Sequence, residues 1–322
     1  MSDGTAFHIK SLSSLRVHVF LIGYADQGES IVVLLKNGDE NVLYSVVVDS
    51  YEIDGLNKTT EILSGIKDPI NMLCWTHPDE DHSIGLESII TNHCSKQSIV
   101  LLPYGLEEGV EIRSLGDVEP VIKQVFDLGN LRTKPVRSVS AHLKQFDPID
   151  DFQIVDDYGD NVDVTIQALA PYREYILEKI HSGKAVDKND LSIVLVINIG
   201  AYRFLLTGDV EDMMISKLGI RYYQNPVWVK IPHHASNSST TLLDYLLTDN
   251  SIQVLSGTTV KKASGLPNPD VVKAYKNICE QVNTTGNPTV EERDNYGMVH
   301  YCFDLFGEKT VRVHCEGNAG IC

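Results

Sequence analysis

The segment that most limits what this chain can fold into is His77-Pro78-Asp79-Glu80-Asp81-His82, which places four potential metal ligands within six residues. It directly follows an apolar run, residues 70–75, with the composition of a buried strand. A loop held at a strand end is rigid, and ligand-binding groups collect at strand ends in sheet-based folds. Imidazole nitrogens and carboxylate oxygens both bind divalent metals. The hexapeptide therefore predicts a metal site, although a charged surface loop with two incidental histidines has the same composition.

Two later strand ends repeat this arrangement. Residues 202–206 form an apolar run that leads into Thr-Gly and then Asp209. Residues 227–231 form another, which leads through a proline into the pair His233-His234. Three strand ends that each deliver histidine or aspartate favour the metal site over the charged surface loop.

Hydrophobic periodicity and turn residues predict alternating strands and helices along the chain. Strands are predicted at residues 15–22, 31–35, 44–48, 70–75, 99–102, 164–169, 192–199, 202–206, 227–231, 254–256, 299–305 and 310–314. Helices are predicted at residues 59–64, 84–90, 106–125 and 240–247, with another after Asp209. Because no repeat or low-complexity linker interrupts the sequence, we expect a single domain over residues 1–322, with two pseudo-halves of roughly 1–160 and 161–322.

These motifs together resemble the metallo-β-lactamase superfamily. The hexapeptide is similar to its His-x-His-x-Asp-His motif, with Asp79 at the position of the second histidine. That substitution, the Leu-Leu-Thr-Gly-Asp that ends at Asp209, and the Lys-x-Pro-His-His-x-Ser at residues 230–236 resemble the ComEC-type competence-protein branch. In that branch, a domain of this fold is expected to degrade DNA. The resemblance covers most of residues 15–256, including a short Val-Val-Val run that ends at Asp49.

The resemblance implies an α/β fold, an αββα sandwich of two mixed sheets with outer helices. It also implies two divalent ions, Zn²⁺ or Mn²⁺, that share a hydroxide. The implied metal ligands are His77, Asp79, Asp81, His82, Asp209, His233 and His234. Asp209 would bridge the ions, and only one of the paired histidines would be a ligand. Asp81, His233 and His234 are the implied catalytic residues.

The sequence departs from the branch at several positions. Asn189 lies in an Asn-x-x-Ser stretch where the superfamily usually has a histidine, so it is a candidate metal ligand or substrate contact, or a plain turn residue. Ser236 could contact a phosphate or cap a helix. Ala235 replaces a glycine, a mild change if its φ is negative. Leu266 replaces a histidine in Gly-His-Pro-x-Pro, which puts the rate or the substrate in doubt.

Charge and composition limit the partners. The chain has 27 Lys and Arg against 44 Asp and Glu, a net charge of −17 that repels polyanions at long range. A basic segment, residues 121–145, could contact nucleic acid or a protein partner, or be a solvated face. Its basic residues are Lys123, Arg132, Lys134, Arg137 and Lys144. Six cysteines without a Cys-x-x-Cys pair, no apparent signal sequence and no long apolar run predict a cytoplasmic protein that does not enter the membrane.

The leading expectation is therefore a metal-dependent hydrolase, a phosphodiesterase that acts on nucleic acid first and on a nucleotide second. Hydrolysis of an ester, thioester or lactam uses the same kind of metal centre and remains an alternative. A weakly active subunit of a larger complex is the third alternative. The residues alone do not decide among them.

Overall fold

The computed structural model describes residues 5–106, 111–112, 118, 123, 137–141, 148–218, 225–246, 254–287 and 293–322. The strands at residues 16–24, 29–36 and 42–48 are buried over most of their length, as expected for strands covered on both faces. The strands are β1 (Thr5–Ile9), β2 (Arg16–Tyr24), β3 (Glu29–Lys36), β4 (Val42–Val48), β5 (Met72–Cys74), β6 (Ile99–Pro103), β7 (Arg137–Ala141), β8 (Asp150–Asp156), β9 (Asn161–Ala170), β10 (Val194–Ile199), β11 (Tyr202–Leu206), β12 (Trp228–Lys230), β13 (Leu255–Thr258), β14 (Gln281–Thr284), β15 (Tyr296–Asp304), β16 (Val311–Gly317) and β17 (Gly320–Ile321).

Helices connect many of these strands. They are α1 (Lys58–Ser64), α2 (Glu80–Ser83), α3 (Leu86–His93), α4 (Arg173–His181), α5 (Asp212–Leu218), α6 (Thr241–Tyr245) and α7 (Pro269–Lys276). Single 3-10 turns add further irregular links near the site, at Lys188–Leu191, His233–Ala235 and Asn237–Ser239.

The strands form two mixed sheets. The first has nine strands in the order β1-β8-β9-β10-β11-β12-β13-β14-β17, and the second has eight in the order β16-β15-β2-β3-β4-β5-β6-β7. Both contain parallel and antiparallel neighbours: β11, β12 and β13 run parallel, whereas β2, β3 and β4 alternate. Because β15 pairs with β2 on one side and with β16 on the other, these late strands lie in the same sheet as β2, β3 and β4.

The sheets face each other across a common core. Side chains such as Val19 and Val33 from the eight-stranded sheet share one buried cluster with Ile197 and Phe204 from the nine-stranded sheet. The outer face of the nine-stranded sheet packs against α5, α6 and α7, and the outer face of the other packs against α1 and α3. This arrangement confirms the predicted fold class, an α/β sandwich of two mixed sheets with outer helices.

Two predictions concern segments that lie mostly outside the residues that the structure describes. The helix predicted at residues 106–125 and the basic segment 121–145 lie largely there. Of the basic residues, Lys123 is described as exposed, and Arg137 begins β7. Among the described residues, no helix combines the length and apolar character needed to cross a bilayer.

Candidate metal centre

Loops from both sheets bring the predicted ligands together at one edge of the sandwich. The loop after β5 carries His77 and Asp79 and continues into α2, which carries Asp81 and His82. Asp79 caps α2, because its Oδ1 accepts a hydrogen bond from the backbone N–H of Glu80 at 2.8 Å. The loops after the parallel strands β11 and β12 supply the ligands from the other sheet.

Four of these side chains approach one another closely, and we call them the donor set: Asp81, His82, Asp209 and His234. His234 Nε2 lies 3.1 Å from Asp81 Oδ2 and 3.3 Å from Asp209 Oδ2. His82 Nε2 lies 3.5 Å from Asp209 Oδ2 and 3.8 Å from Asp81 Oδ2. Donors bound tetrahedrally at zinc distances are separated by about 3.3–3.6 Å. The four nitrogen–oxygen distances, from 3.1 to 3.8 Å, are close to this separation, as expected for side chains that bind one divalent ion.

The same atoms lack hydrogen-bond partners. His82 Nε2, His234 Nε2, Asp81 Oδ2 and both carboxylate oxygens of Asp209 are buried without a hydrogen bond, as is His77 Nε2. Buried polar atoms are nearly always paired, since leaving one unpaired costs about 1–3 kcal/mol. This concentration of unpaired donors in one place is explained if they bind a cation.

Hydrogen bonds engage Nδ1 of His77 and His82, so that in the neutral imidazole Nε2 carries the lone pair. Thr76 Oγ1 donates to Asp49 Oδ2 at 2.6 Å and can therefore accept from His77 Nδ1 at 3.0 Å. Asp49 Oδ2 also accepts from His82 Nδ1 at 2.7 Å. With the Nδ1 proton committed in this way, the remaining nitrogen of each imidazole is available to a metal, an arrangement typical of metal-binding histidines.

His234 is oriented by the same device on the other sheet. Thr259 Oγ1 donates to Glu29 Oε2 at 2.5 Å and contacts His234 Nδ1 at 2.7 Å, so the imidazole is the donor in the second contact. Glu29 also forms a buried ion pair with Lys230, with Nζ and Oε2 2.7 Å apart. Glu29 belongs, with three members of the donor set, to a group of ligand atoms that all lie within 4.8 Å of one another.

The electrostatics of the donor set are those of an anionic pocket. Burial alone lowers the pKa of His82, but the Asp209, Asp81 and Asp49 carboxylates outweigh it and raise that pKa well above its ordinary value. Burial likewise raises the pKa of Asp209, and the neighbouring His234 and His82 more than reverse this. For His77, burial and the proximity of His82 lower the pKa to about 3, which keeps its imidazole neutral. Positive charge is therefore favoured at the centre of the set.

Asp79 has different surroundings from the donor set. Its Oδ1 lies 2.5 Å from Lys188 Nζ, and its Oδ2 lies 3.1 Å from Lys261 Nζ. The Lys261 ammonium also contacts Asp81 Oδ1 at 2.8 Å. We call Lys188 and Lys261 the lysine pair. These lysines give the predicted ligand Asp79 two cationic partners.

The remaining predicted residues lie at the rim. His233 Nε2 is 4.0 Å from Asp209 Oδ2, and its Nδ1 lies 3.2 Å from Glu211 Oε1. Asn189 Nδ2 donates to Glu211 at 3.1 Å and lies 3.4 Å from His233 Nε2. Ser236 caps the following 3-10 turn by accepting from the Ser238 N–H. The structure thus places His234 in the donor set and His233 beside it, toward solvent.

A left-handed turn carries both histidines. His233, His234 and Ala235 have φ values of 48°, 49° and 60°. The expectation that Ala235 is a mild replacement required a negative φ, and this condition is not met. Leu266 pairs with Lys261 through two backbone hydrogen bonds, at 3.1 and 3.2 Å, so the residue that replaces the family histidine lies opposite the lysine.

Several residues of the site were not predicted from the sequence. Asp49 was noted only as the end of a motif, and no local pattern indicated its contact with His82. Glu29 and Thr259 lie beside His234 although they are distant from it in the sequence. Lys188 and Lys261 are likewise distant in sequence from Asp79, which they contact. A lysine within an otherwise apolar strand, Lys230, was the single available signal of a buried carboxylate partner.

No protein-family model and no curated protein matches the sequence. Several solved structures are similar to parts of the chain, and three of them are described here. They are the CmlA β-hydroxylase E377D mutant (13% identity, 72% of this chain, TM-score 0.37), a diphosphatase of the PhnP family (12%, 75%, 0.37) and zinc-bound PqqB from Methylobacterium extorquens (11%, 66%, 0.35). The alignments span 38%, 85% and 71% of those chains, respectively. At these TM-scores, the similarity carries no assignment of function, which depends on the donor set.

Proposed function

We propose that this protein is a metal-dependent hydrolase that cleaves phosphodiesters. The observation that carries the proposal is the buried donor set, whose atoms have the spacing of a metal shell and no other partners. Two imidazoles and two carboxylates suit zinc or manganese. When bound there, such an ion would supply Lewis acidity and lower the pKa of a water molecule to about 7.

The chain's own residues favour an anionic substrate. Two groups beside the donor set are partly exposed: the side chain of Lys188, which contacts Asp79, is 31% exposed, and that of His233, which lies 4.0 Å from Asp209, is 17% exposed. Cationic groups at the entrance of a site attract a phosphodiester more than a neutral ester or lactam. Nucleic acid and nucleotides, the substrates that the ComEC-type resemblance implies, both contain this group.

The rim residues can complete the hydrolysis. A water oxygen bonds to phosphorus and gives up a proton to solvent, the bond from phosphorus to the leaving oxygen breaks, and the leaving oxygen takes up a proton. We propose His233 as the proton donor, since its imidazole is close to the donor set and partly exposed. Glu211 and Asn189 hold its ring, so their part is to position it.

A second ion, as the sequence predicted, would depend on His77, Asp79 and the second oxygen of Asp209. His77 Nε2 and Asp209 Oδ1 have no hydrogen-bond partner, which supports that assignment. Asp79 contacts the lysine pair, which opposes it. The number of ions is therefore a separate question from the reaction.

Four substrates tested side by side decide the function: DNA, RNA, a chromogenic phosphodiester and a chromogenic carboxylic ester. With Zn²⁺ or Mn²⁺ restored, we expect phosphodiester cleavage that is lost on chelation and in Asp209→Ala. Ester hydrolysis alone would contradict the proposal and favour the ester, thioester or lactam alternative. A folded, metal-loaded protein with no turnover would favour the role of a subunit in a complex.

A further inference from the structure

Lys261 bridges two carboxylates at the bottom of the site. Its ammonium lies 2.8 Å from Asp81 Oδ1 and 3.1 Å from Asp79 Oδ2, and its side chain is only 17% exposed. Asp81 thus has two different contacts: its Oδ2 belongs to the donor set, and its Oδ1 binds the lysine. The ammonium therefore sits directly beside the position of the ion proposed above.

The contacts of Asp79 leave little capacity for a metal. One of its oxygens accepts from the Glu80 N–H and from Lys188, and the other accepts from Lys261. An ionised carboxylate has about four acceptor positions, and three are accounted for by these contacts. An ion that took the place of Lys261 between Asp79 and Asp81 would displace a mostly buried, paired ammonium, which is strongly unfavourable if the ammonium loses both partners.

The backbone holds Lys261 in this position. Its N–H and C=O both pair with Leu266, and it follows Thr259 closely, whose side chain is fixed by Glu29. The next residue, Lys262, is anchored through its N–H to the Asp26 carbonyl at 2.7 Å. These backbone hydrogen bonds hold the main chain of Lys261 where its ammonium reaches the two carboxylates.

The charges on this side balance without a metal. Asp79 and Asp81 carry two negative charges, and Lys188 and Lys261 carry two positive charges. A divalent ion added between these aspartates would leave a net positive charge in a mostly buried space, which costs free energy. By contrast, the Oδ2 and Nε2 atoms of the donor set face one another at 3.1–3.8 Å and have no lysine in hydrogen-bonding geometry among the described residues.

We propose that Lys261 fills the position of a second metal ion, so that each chain binds one divalent ion and carries one built-in ammonium cation. This inference rests on the proposed function for the existence of the first ion. It replaces the two-ion centre expected from the sequence with a centre of one ion and one lysine. Hydrolysis is then assisted by one exchangeable cation and one fixed cation.

The test is the number of ions bound per chain, measured independently of activity. The full chain is stripped with a chelator, reloaded with Zn²⁺ or Mn²⁺, freed of excess ion and analysed for metal. We expect one ion per wild-type chain. In Lys261→Met, which keeps an unbranched side chain one atom shorter and removes the charge, we expect two ions per chain, because the aspartates lose the Lys261 ammonium.

Two further variants control this measurement. Lys262→Met, which changes the neighbouring lysine paired with Asp26, should still bind one ion. Asp79→Asn should also bind one ion, with an affinity within about threefold of wild type, and it serves if Lys261→Met does not fold. Two ions in wild type, with one lost in Asp79→Asn, would overturn the inference, as would a single ion in folded Lys261→Met. No ion in wild type would instead overturn the proposed function.

Discussion

The two sides of the site have similar residues and different partners. On one side, Asp209 is buried with both oxygens unpaired, and His82 and His234 turn free nitrogens toward it. On the other side, Asp79 is bound by the lysine pair. Both aspartates lie in motifs that resemble metal-binding motifs of one superfamily. The comparison shows that a motif identifies where a cation is held, whereas the tertiary partners decide whether that cation is a metal or an ammonium.

The largest effect is expected from the side with unpaired donors. Asp209→Ala removes an oxygen that lies within 3.5 Å of both His82 and His234, so the ion should be lost together with turnover. We expect the rate to fall at least about a thousandfold, which corresponds to about 4 kcal/mol in activation free energy. Metal analysis and phosphodiester cleavage measure the effect. Asp151→Ala, at an exposed position of β8, is the matched control and should be unchanged.

An intermediate effect is expected from the residue behind His82. Asp49→Asn weakens the acceptor that fixes the tautomer of His82 at 2.7 Å, without removing a donor. Changes to such supporting residues typically reduce metal affinity by about 10–100-fold. Competition with a chromophoric chelator measures the affinity. A value within threefold of wild type would show that the donor set does not depend on this support.

The smallest effect is expected from Lys188, on the Asp79 side of the site. Lys188 contacts Asp79 alone in the site and is the more exposed of the two lysines. Lys188→Met should therefore leave the count at one ion per chain and change its affinity by less than about threefold, because its partly exposed contact with Asp79 involves no atom of the donor set. The same titration measures it. If this variant gained a second ion, then Lys188, and not Lys261, would be the lysine that fills the second metal position.

Sequence periodicity predicted most of the strands that position the site. Residues 202–206 coincide with β11, and residues 31–35 lie within β3. Strand β8 was missed because its acidic residues hide the alternation of Phe152 and Ile154. Helix α7 was missed although Asn268 caps it and a proline occupies its first turn, both of which are local signals.

The sequence predicted only part of the site. His82, Asp209 and His234 follow strands within recognisable motifs, and their roles as ligands stay predictions until an ion is observed. Lys261 could not be found, because its contact with Asp81 joins residues 180 positions apart and no local pattern marks it. Long-range ion pairs of this kind follow from how the two sheets meet, and only the folded chain reveals them.

The left-handed turn that carries His234 also has a consequence for how firmly the site is folded. A left-handed conformation costs about 1–2 kcal/mol for each residue other than glycine, so His233, His234 and Ala235 together store about 3–6 kcal/mol. The whole fold is expected to be stable by only about 5–15 kcal/mol. Backbone hydrogen bonds from His233 to Gly208 and from Asn268 to Ala235 oppose the release of this strain. A metal ion on His234 would bind this turn only in its left-handed conformation. Binding of the ion would therefore oppose local unfolding of residues 233–235.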